Sequence, residues 1–334
     1  MKALSALCLS VVLTLLPGSA VSARPSTPTG VDLTTLPRGD DPTVTWLGGT
    51  VMHTRDGRTF GLPLPAAKAG VTRFLGRSRH SWVVGILGGP YVGSTKVVRI
   101  HRGRYRTVVT VPSYYDRPTY VLSRHGERLF TVDYDRGGSD VTAYDLDGHV
   151  LGRFSGALGV QPLDAAGDDL FLGAHGTQRW RPGEGKVKLA TYGGLVDVPL
   201  DVLFVGHDKG VGPTSLARPR EPVWSVRGFA PRSVSPDGQW VAGYALASIY
   251  GRHRRLEIRS MADGSLQPST GLLLEPNAAL GWDDGSHLLV GVHSGLGNAL
   301  VRCGLNGRCE RATDWLPGQA ISLPHQMEYF FDWP

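Results

Sequence analysis

The side chains best suited to bind a ligand are tyrosines and histidines that follow short apolar strands. Tyr244 is an example, because it comes directly after the run Trp240-Val241-Ala242-Gly243. The corresponding residues elsewhere are Tyr134, His175, His207 and His293, while Tyr91 and Tyr250 lie in long loops that follow two such strands. Phenol and imidazole groups form hydrogen bonds with ligands, and imidazole also binds zinc. These seven residues are the predicted ligand-binding positions.

The positions correspond because the strands before them are copies of one pattern. The clearest copy covers residues 234–243, and weaker copies cover residues 123–134, 164–175 and 282–293. Self-similarity at a spacing of a few tens of residues indicates a repeat fold. Between residues 43 and 324, short strands alternate with Gly, Asp, Asn and Pro, and no segment has a sustained helical period. The chain is therefore predicted to be all-β.

The repeats divide into units of four strands, which we name a to d from the inside outward. The predicted units are residues 43–65 (incomplete), 69–112, 118–156, 158–193, 196–226 (degenerate), 229–271 and 277–317. About 40 residues per unit is the blade length of a four-stranded β-propeller. Seven blades is the preferred interpretation, and six or eight stay open. Residues 320–323 are expected to complete the first blade, because this pairing of the two chain ends removes an open sheet edge.

The unit 229–271 predicts strand a near Val234, strand b over residues 240–244, strand c over residues 255–260, and strand d after the Asp263-Gly264 turn. Its turn Ser235-Pro236-Asp237-Gly238, followed by an apolar strand, resembles the signature of TolB-like and WD-repeat-like secreted bacterial β-propellers. The resemblance covers residues 43–324. It implies a propeller that binds a protein or ligand, commonly without catalysis.

In a propeller, equivalent strand ends form a ring on one face, so the seven tyrosines and histidines are expected to gather beside the loops that join strands b and c. Binding residues concentrate on such loops. The alternative is that each residue closes its own blade by packing and a hydrogen bond. Zinc would need His175, His207 and His293 to converge within about 2.1 Å of one point. Residues set back from the axis are not expected to do so, and no metal or cofactor is predicted.

The two chain ends carry segments of a different composition. Residues 1–23 combine Lys2, an apolar run and a small-residue cleavage pattern ending at Ala23, which predicts a secretory signal peptide and a secreted, extracytoplasmic protein. Residues 24–42 are rich in Pro, Thr and Gly and are predicted to be a flexible linker before the propeller at residues 43–324. The aromatic tail 325–334 is expected to dock on the propeller rim, the alternative being a partner-binding peptide. No membrane span is expected.

Two cysteines remain after the predicted cleavage, and disulfides persist outside the cytoplasm. Cys303 and Cys309 flank Asn306-Gly307 in a segment that reads as a hairpin. A two-residue turn at Asn306-Gly307 would put the sulfurs out of register, whereas a three-residue loop with Gly307 left-handed places the cysteines opposite each other. The sequence predicts a disulfide that staples this hairpin. A redox or metal pair is the weaker alternative, because the spacing is not CxxC.

The formal net charge is +6, from 35 Lys and Arg against 29 Asp and Glu, and arginine dominates the basic residues. A nucleic-acid partner is not expected for an exported protein. Two local runs, Arg252-His253-Arg254-Arg255 and Arg102-Gly103-Arg104-Tyr105-Arg106, are candidate anion contacts, with solvated loops as the simpler interpretation.

Several catalytic families are excluded by their motifs. The chain has no G-x-S-x-G sequence, and in Ser235-Pro236-Asp237-Gly238 the glycine follows the aspartate directly, which does not fit the sialidase Asp-box. The predicted function is a non-catalytic, monomeric binding or scaffolding propeller for a protein or cell-envelope ligand, with no catalytic residue assigned. The alternative is a small propeller enzyme, a lyase or glycan hydrolase, which would need two convergent carboxylates or a His-carboxylate pair in a central funnel.

Overall fold

The computed structural model describes residues 31–64, 68, 72–87, 93–113, 119–134, 138–156, 159–174, 176–191, 193–219, 222–245, 254–275 and 278–325. Within these ranges the chain forms a short 3-10 helix, Leu33–Thr35, and otherwise strands. In chain order the strands are β1 (Trp46–Gly48), β2 (Val51–His53), β3 (Thr59–Gly61), β4 (Thr72–Ser78), β5 (Ser81–Ile86), β6 (Gly93–His101), β7 (Arg104–Ser113), β8 (Thr119–Leu122), β9 (Arg128–Tyr134), β10 (Ser139–Asp145), β11 (Val150–Gly156), β12 (Gln161–Ala166), β13 (Asp169–Ala174), β14 (Gly176–Arg181), β15 (Gly185–Ala190), β16 (Gly193–Asp197), β17 (Val202–His207), β18 (Gly210–Ser215), β19 (Phe229–Val234), β20 (Trp240–Ala245), β21 (Arg254–Ser260), β22 (Leu273–Leu274), β23 (Leu280–Trp282), β24 (His287–Ser294), β25 (Gly297–Gly304), β26 (Cys309–Arg311) and β27 (Ile321–Ser322).

These strands form seven antiparallel sheets, which are the seven blades of a β-propeller. Blade 1 has the order β27-β1-β2-β3, and the blades that follow are β4 to β7, β8 to β11, β12 to β15, β16 to β18, β19 to β22 and β23 to β26. Blade 5 has three strands, and in place of a fourth, Val226 exchanges two backbone hydrogen bonds with Val211. The all-β class and the preferred number of seven blades are confirmed.

The ring closes through the C-terminal strand. β27 is the innermost strand of blade 1 and pairs Ser322 with Leu47 and Ile321 with Gly48 of β1. The Ser322 hydroxyl also accepts a hydrogen bond from the Phe74 amide of blade 2, at 3.0 Å. This closure confirms the expected completion of the first blade and leaves β1 without a free inner edge.

The core lies between neighbouring blades. Leu47, Leu129, Leu203 and Leu288 are fully buried, and the inner strands are apolar on both sides because a blade contacts another blade on each face. Antiparallel order fixes two faces of the ring. The turns between strands a and b and between strands c and d lie on one, which we call the hairpin face. The loops between strands b and c and the links between blades lie on the other, the connection face.

The Ser-Pro-Asp-Gly turn is built by local hydrogen bonds. The Ser235 hydroxyl accepts from the Trp240 amide at 2.9 Å, Asp237 accepts from the Gln239 amide, and Gly238 takes the left-handed conformation at φ 71°. Ser123 performs the same role in blade 3, where its hydroxyl accepts from the Arg128 amide at 3.0 Å. Side chains that satisfy turn amides in this way make each hairpin between strands a and b self-contained.

The predicted disulfide is present. Cys303 and Cys309 are directly paired between β25 and β26, with their Cα atoms 4.1 Å apart. Gly304 donates its amide to the Arg308 carbonyl, which leaves three loop residues with Gly307 left-handed at φ 78°. The loop length and register match those derived from the sequence.

One strand differs from the prediction. Strand d of blade 6 is β22, which pairs with Arg254 and Arg255, whereas directly after the Asp263-Gly264 turn the structure has a single bridge between Arg259 and Leu266. The described part of the predicted linker, residues 31–42, contacts blades 6 and 7, where Val31 bonds Gly271 and residues 37 and 39 bond Arg311. Arg302 donates to the carbonyls of residues 40 and 41, at 3.1 and 2.8 Å.

The predicted signal peptide and the tail beyond His325 lie outside the described residues. Within the described part of the chain, no helix is long and apolar enough to cross a membrane.

Candidate functional site

The inner strands of several blades surround a central cavity of about 380 Å³. Its polar side chains are Arg124, Asp197, Arg232, Ser233, Tyr244 and His325. The remaining wall is largely apolar and includes Leu195, Pro199, Leu200, Val234, Leu280 and Trp282. A mostly apolar cavity with a few convergent polar groups is the usual form of a ligand site.

Arg124 and Asp164 join the inner strands of three blades beside this cavity. The Arg124 guanidinium donates to both carboxylate oxygens of Asp164, at 2.9 and 3.1 Å. Asp164 also accepts from the Val198 amide of blade 5, at 3.1 Å, and its side chain is 4% exposed. Since its oxygens are covered by these donors, Asp164 acts as a structural tether rather than as a group facing a ligand.

Asp197, at the end of β16, has a different environment. Its carboxylate accepts a long bond of 3.3 Å from the Leu200 amide and lies 3.7 Å from the Arg124 guanidinium. Burial raises the pKa of Asp197; Arg124 opposes this shift, and the Asp164 carboxylate adds to it. Asp197 is therefore an incompletely satisfied acid on the cavity wall.

Arg232 and Tyr244 are the polar residues that blade 6 contributes to the cavity wall. The Arg232 guanidinium lies over the Tyr244 ring, with its carbon 5.0 Å from the ring centre, and also bonds the phenol oxygen. Burial raises the pKa of the Tyr244 phenol, against the lowering effects of Arg232 and Arg254. The phenol is thus neutral at neutral pH and can donate a hydrogen bond into the cavity.

Pro324 and His325 cover part of the cavity at its hairpin-face end. They follow the closing strand β27, and the His325 amide donates to the Leu75 carbonyl of blade 2. Burial, together with the positive charge of Arg124, lowers the pKa of His325 to about 4. The imidazole is accordingly neutral at neutral pH and places no further positive charge beside Arg124.

The predicted ligand-binding residues are distributed over different places. Tyr244 lines the central cavity, whereas Tyr134 is buried in blade 3 with its hydroxyl 3.4 Å from that of Thr119. His207 and His293 are exposed and line two other grooves, where they contact Ser225 and Asn298 respectively. These four residues do not meet at one point. Tyr91, His175 and Tyr250 lie outside the described residues.

The sequence interpretation did not select Arg124, Asp197, Arg232 or His325. Aligning the ends of strand a, rather than those of strand b, would have found them, because Arg124 follows β8, Asp197 ends β16, Arg232 lies near the end of β19 and His325 follows β27. Strand a is the innermost strand of each blade, so charged residues near its end converge on the axis.

His, Cys, Asp and Glu side chains are the usual protein ligands of metal ions. Among the described residues, no group of three or more His, Cys, Asp or Glu side chains is arranged to hold a metal ion.

Comparison of the sequence with family models and with curated proteins finds no match. Comparison of the fold finds solved structures of low sequence identity. TolB from Acinetobacter baumannii aligns with a TM-score of 0.48 and 11% identity over 83% of this chain, which spans 65% of TolB. A functionally unknown protein from Desulfotomaculum acetoxidans aligns with a TM-score of 0.49 and 11% identity over 76% of this chain and 88% of that protein.

Proposed function

We propose that this chain is an extracytoplasmic binding propeller that takes a small polar group of an envelope partner, a peptide end or a sugar, into its central cavity. The observation that carries the proposal is the pairing of opposite charges on an otherwise apolar wall. Asp197 comes from the inner strand of blade 5, and Arg232 comes with Tyr244 from the neighbouring blade 6. A ligand that carries both a donor and an acceptor group would compensate both charges, which supports a binding role for this arrangement.

The charges define the chemistry of the ligand. The Asp197 carboxylate accepts a hydrogen bond from a hydroxyl or ammonium group, and Arg232 donates to a carboxylate or carbonyl oxygen. Leu280 and Trp282 cover an apolar part of the same ligand. An ionised carboxylate in a buried position lowers stability unless a partner compensates it, and a ligand donor supplies that partner.

The disulfide supports the proposed extracytoplasmic compartment. The bond between Cys303 and Cys309 is of a kind that persists in oxidising compartments and is rare in the cytoplasm. Together with the signal peptide predicted at residues 1–23, it supports a site of action outside the cytoplasmic membrane.

A propeller enzyme, a lyase or glycan hydrolase, is the second candidate. The raised pKa of Asp197 is a property of general acids, and His325 lines the same cavity. Asp164, the second nearby carboxylate, is bound on both oxygens by Arg124 and is not available as a partner acid. The cavity therefore favours binding over hydrolysis.

The test is a pull-down from a cell-envelope extract, with the exported form of the chain as bait and mass spectrometry of the material released. We expect capture by the wild type and by Lys188→Gln, an exposed control in β15, and loss of the same material with Arg232→Met and with Asp197→Asn. Equal capture by all four proteins would overturn the cavity proposal. The enzyme would be established instead if Asp197→Asn bound the material without changing it and the wild type released it in a chemically altered form.

A further inference from the structure

The turns of blade 2 on the hairpin face carry a group of exposed arginines that the central cavity does not use. Arg79 lies between β4 and β5, Arg102 lies between β6 and β7, and Arg104 begins β7. All three are exposed. Across the described part of the chain, no hydrogen bond or ion pair engages their guanidinium groups. We call Arg79, Arg102 and Arg104 the blade 2 arginines.

Two of these arginines occupy a backbone conformation that arginine disfavours. Arg79 has φ 50° and Arg102 has φ 49°, each at the first position of a two-residue hairpin loop. Glycine and asparagine adopt this left-handed conformation with less strain. A strained residue that carries an unpaired charge in an exposed turn points to a function for that charge.

The two loops are held side by side. The His101 ring contacts the His80 carbonyl through Nδ1 at 3.0 Å, which links the loop of Arg102 to that of Arg79. The Arg77 guanidinium donates to the Arg79 carbonyl at 3.0 Å and lies over the Trp82 ring. The blade 2 arginines are thus presented from a pre-organised pair of turns, not from independent loops.

The charge around them is uneven over the hairpin face. Near blade 2, Arg58 is paired with Asp56, and Arg106 is paired with Asp147, so these arginines are partly neutralised. On blades 5 to 7 the turns of the same face carry four acidic residues, Asp201, Asp237, Asp263 and Asp284. The basic residues of these turns are Arg218 and Arg308. The positive sector is therefore local and does not simply follow from the net charge of +6.

We propose that the blade 2 arginines dock the propeller on an anionic phospholipid surface through its hairpin face. Guanidinium groups match lipid phosphates in geometry and charge. The arginines stand at the tips of hairpins, so they suit an extended flat partner rather than an enclosed small anion. Tyr105, which is 52% exposed beside them, is an aromatic residue of the kind found at membrane interfaces. This inference is independent of the proposed use of the central cavity.

The experiment measures sedimentation of the chain from residue 24 onward with vesicles of phosphatidylcholine, with and without about one third phosphatidylglycerol. A basic residue near an anionic surface strengthens binding by about fivefold. The triple variant Arg79→Asn, Arg102→Asn, Arg104→Gln is expected to bind about a hundredfold more weakly than the wild type. The control variant Arg153→Gln, Lys188→Gln, Lys209→Gln removes the same charge away from the hairpin face and is expected to retain most of the binding.

Folding is monitored separately. Because asparagine suits the left-handed conformation, the triple variant is expected to have a Tm equal to or above that of the wild type. Binding that is lost in the triple variant, retained in the control and absent with neutral vesicles supports the proposal. It is overturned if the wild type does not bind anionic vesicles, if both variants lose binding equally, or if soluble polyphosphate binds while vesicles do not.

Discussion

At the scale of single residues, two aspartates beside the central cavity have different roles because their hydrogen-bond partners differ. Asp164 is covered by the Arg124 guanidinium and the Val198 amide, whereas Asp197 has one long amide contact and a guanidinium at 3.7 Å. Burial without full compensation is what raises the pKa of Asp197. Residue type alone does not separate a tether from a ligand-binding acid.

Asp197→Asn is expected to stabilise the protein at neutral pH. The folded pKa of Asp197 lies above its unfolded value, so its favourable contribution is present only at low pH and is lost as the pH rises through the folded pKa. The amide removes the buried charge and still accepts from the Leu200 amide. The Tm of Asp197→Asn should exceed that of the wild type at pH 7, with the difference vanishing below about pH 4.

Asp284→Asn is the matched control. Burial raises the pKa of Asp284, but hydrogen bonds from the Ser286 amide and the His287 side chain outweigh burial and lower the pKa to about 2. Its ionised form therefore contributes stability that is lost as the pH falls, and Asp284→Asn should lower the Tm at pH 7. A lower Tm for Asp197→Asn as well would contradict the assignment of Asp197 as a strained, ligand-ready acid.

At the scale of elements, the segment before β1 is attached to blade 7 by backbone hydrogen bonds to Arg311 and by a charge cluster around Arg302. Arg302, with a side chain 10% exposed, donates to Asp283 at 2.8 Å and to Glu310 at 2.9 Å, besides the carbonyls of residues 40 and 41. Asp283 in turn accepts from the Thr43 amide at 2.6 Å. The outer strand of blade 7 and the N-terminal segment thus depend on the same guanidinium.

Replacing Arg302 by methionine is expected to lower the free energy of unfolding by about 3–5 kcal/mol, because the buried Asp283 carboxylate loses its cation. Arg58→Met, which breaks an exposed pair with Asp56, should have a much smaller effect, because solvent screens that pair. Urea unfolding of both variants measures the difference. Similar losses in the two would show that the Arg302 cluster is no more important than a surface ion pair.

At the scale of the whole molecule, the ring depends on two residues from the far end of the chain. Ile321 and Ser322 form the inner strand of blade 1, and Ser322 also bonds the inner strand of blade 2. Closure therefore couples the first and last parts of the sequence, and it covers the fully buried Leu47 and the largely buried Phe74.

A chain ending at residue 319 is expected to lose cooperative thermal unfolding and to aggregate, because β1 then presents an open edge and an apolar surface. A chain ending at residue 325 keeps the closing strand. It should unfold cooperatively. Its Tm should be lower than that of the full chain if the tail docks on the rim as predicted, but the decrease should be smaller than for the chain ending at residue 319. Calorimetry distinguishes the two truncated chains. An unchanged Tm for the chain ending at residue 325 would contradict the docking of the tail on the rim. Equal behaviour of both truncations would contradict the closing role of β27.

The sequence alone determined the features that depend on local periodicity. Polar turns related to Ser235-Pro236-Asp237-Gly238 recur before several apolar strands, and the spacing of Cys303, Gly307 and Cys309 sets the register of a hairpin, so the blades and the disulfide were predictable. The position of strand d in blade 6 was not predictable from the sequence. An irregular stretch separates the Asp263-Gly264 turn from β22, so no local turn fixes where β22 pairs with β21.

Only the tertiary structure decided which side chains face one another across the ring. The sequence placed Tyr244, His207 and His293 in equivalent positions, but strand b stands back from the axis, and of these three only Tyr244 lines the central cavity. Arg124, Asp197 and Arg232 come from three blades and lie between 35 and 108 residues apart in the sequence, and they line one cavity because strand a is innermost. The repeats in the sequence specify the blades, whereas the arrangement of the inner strands around the axis determines which side chains line the cavity.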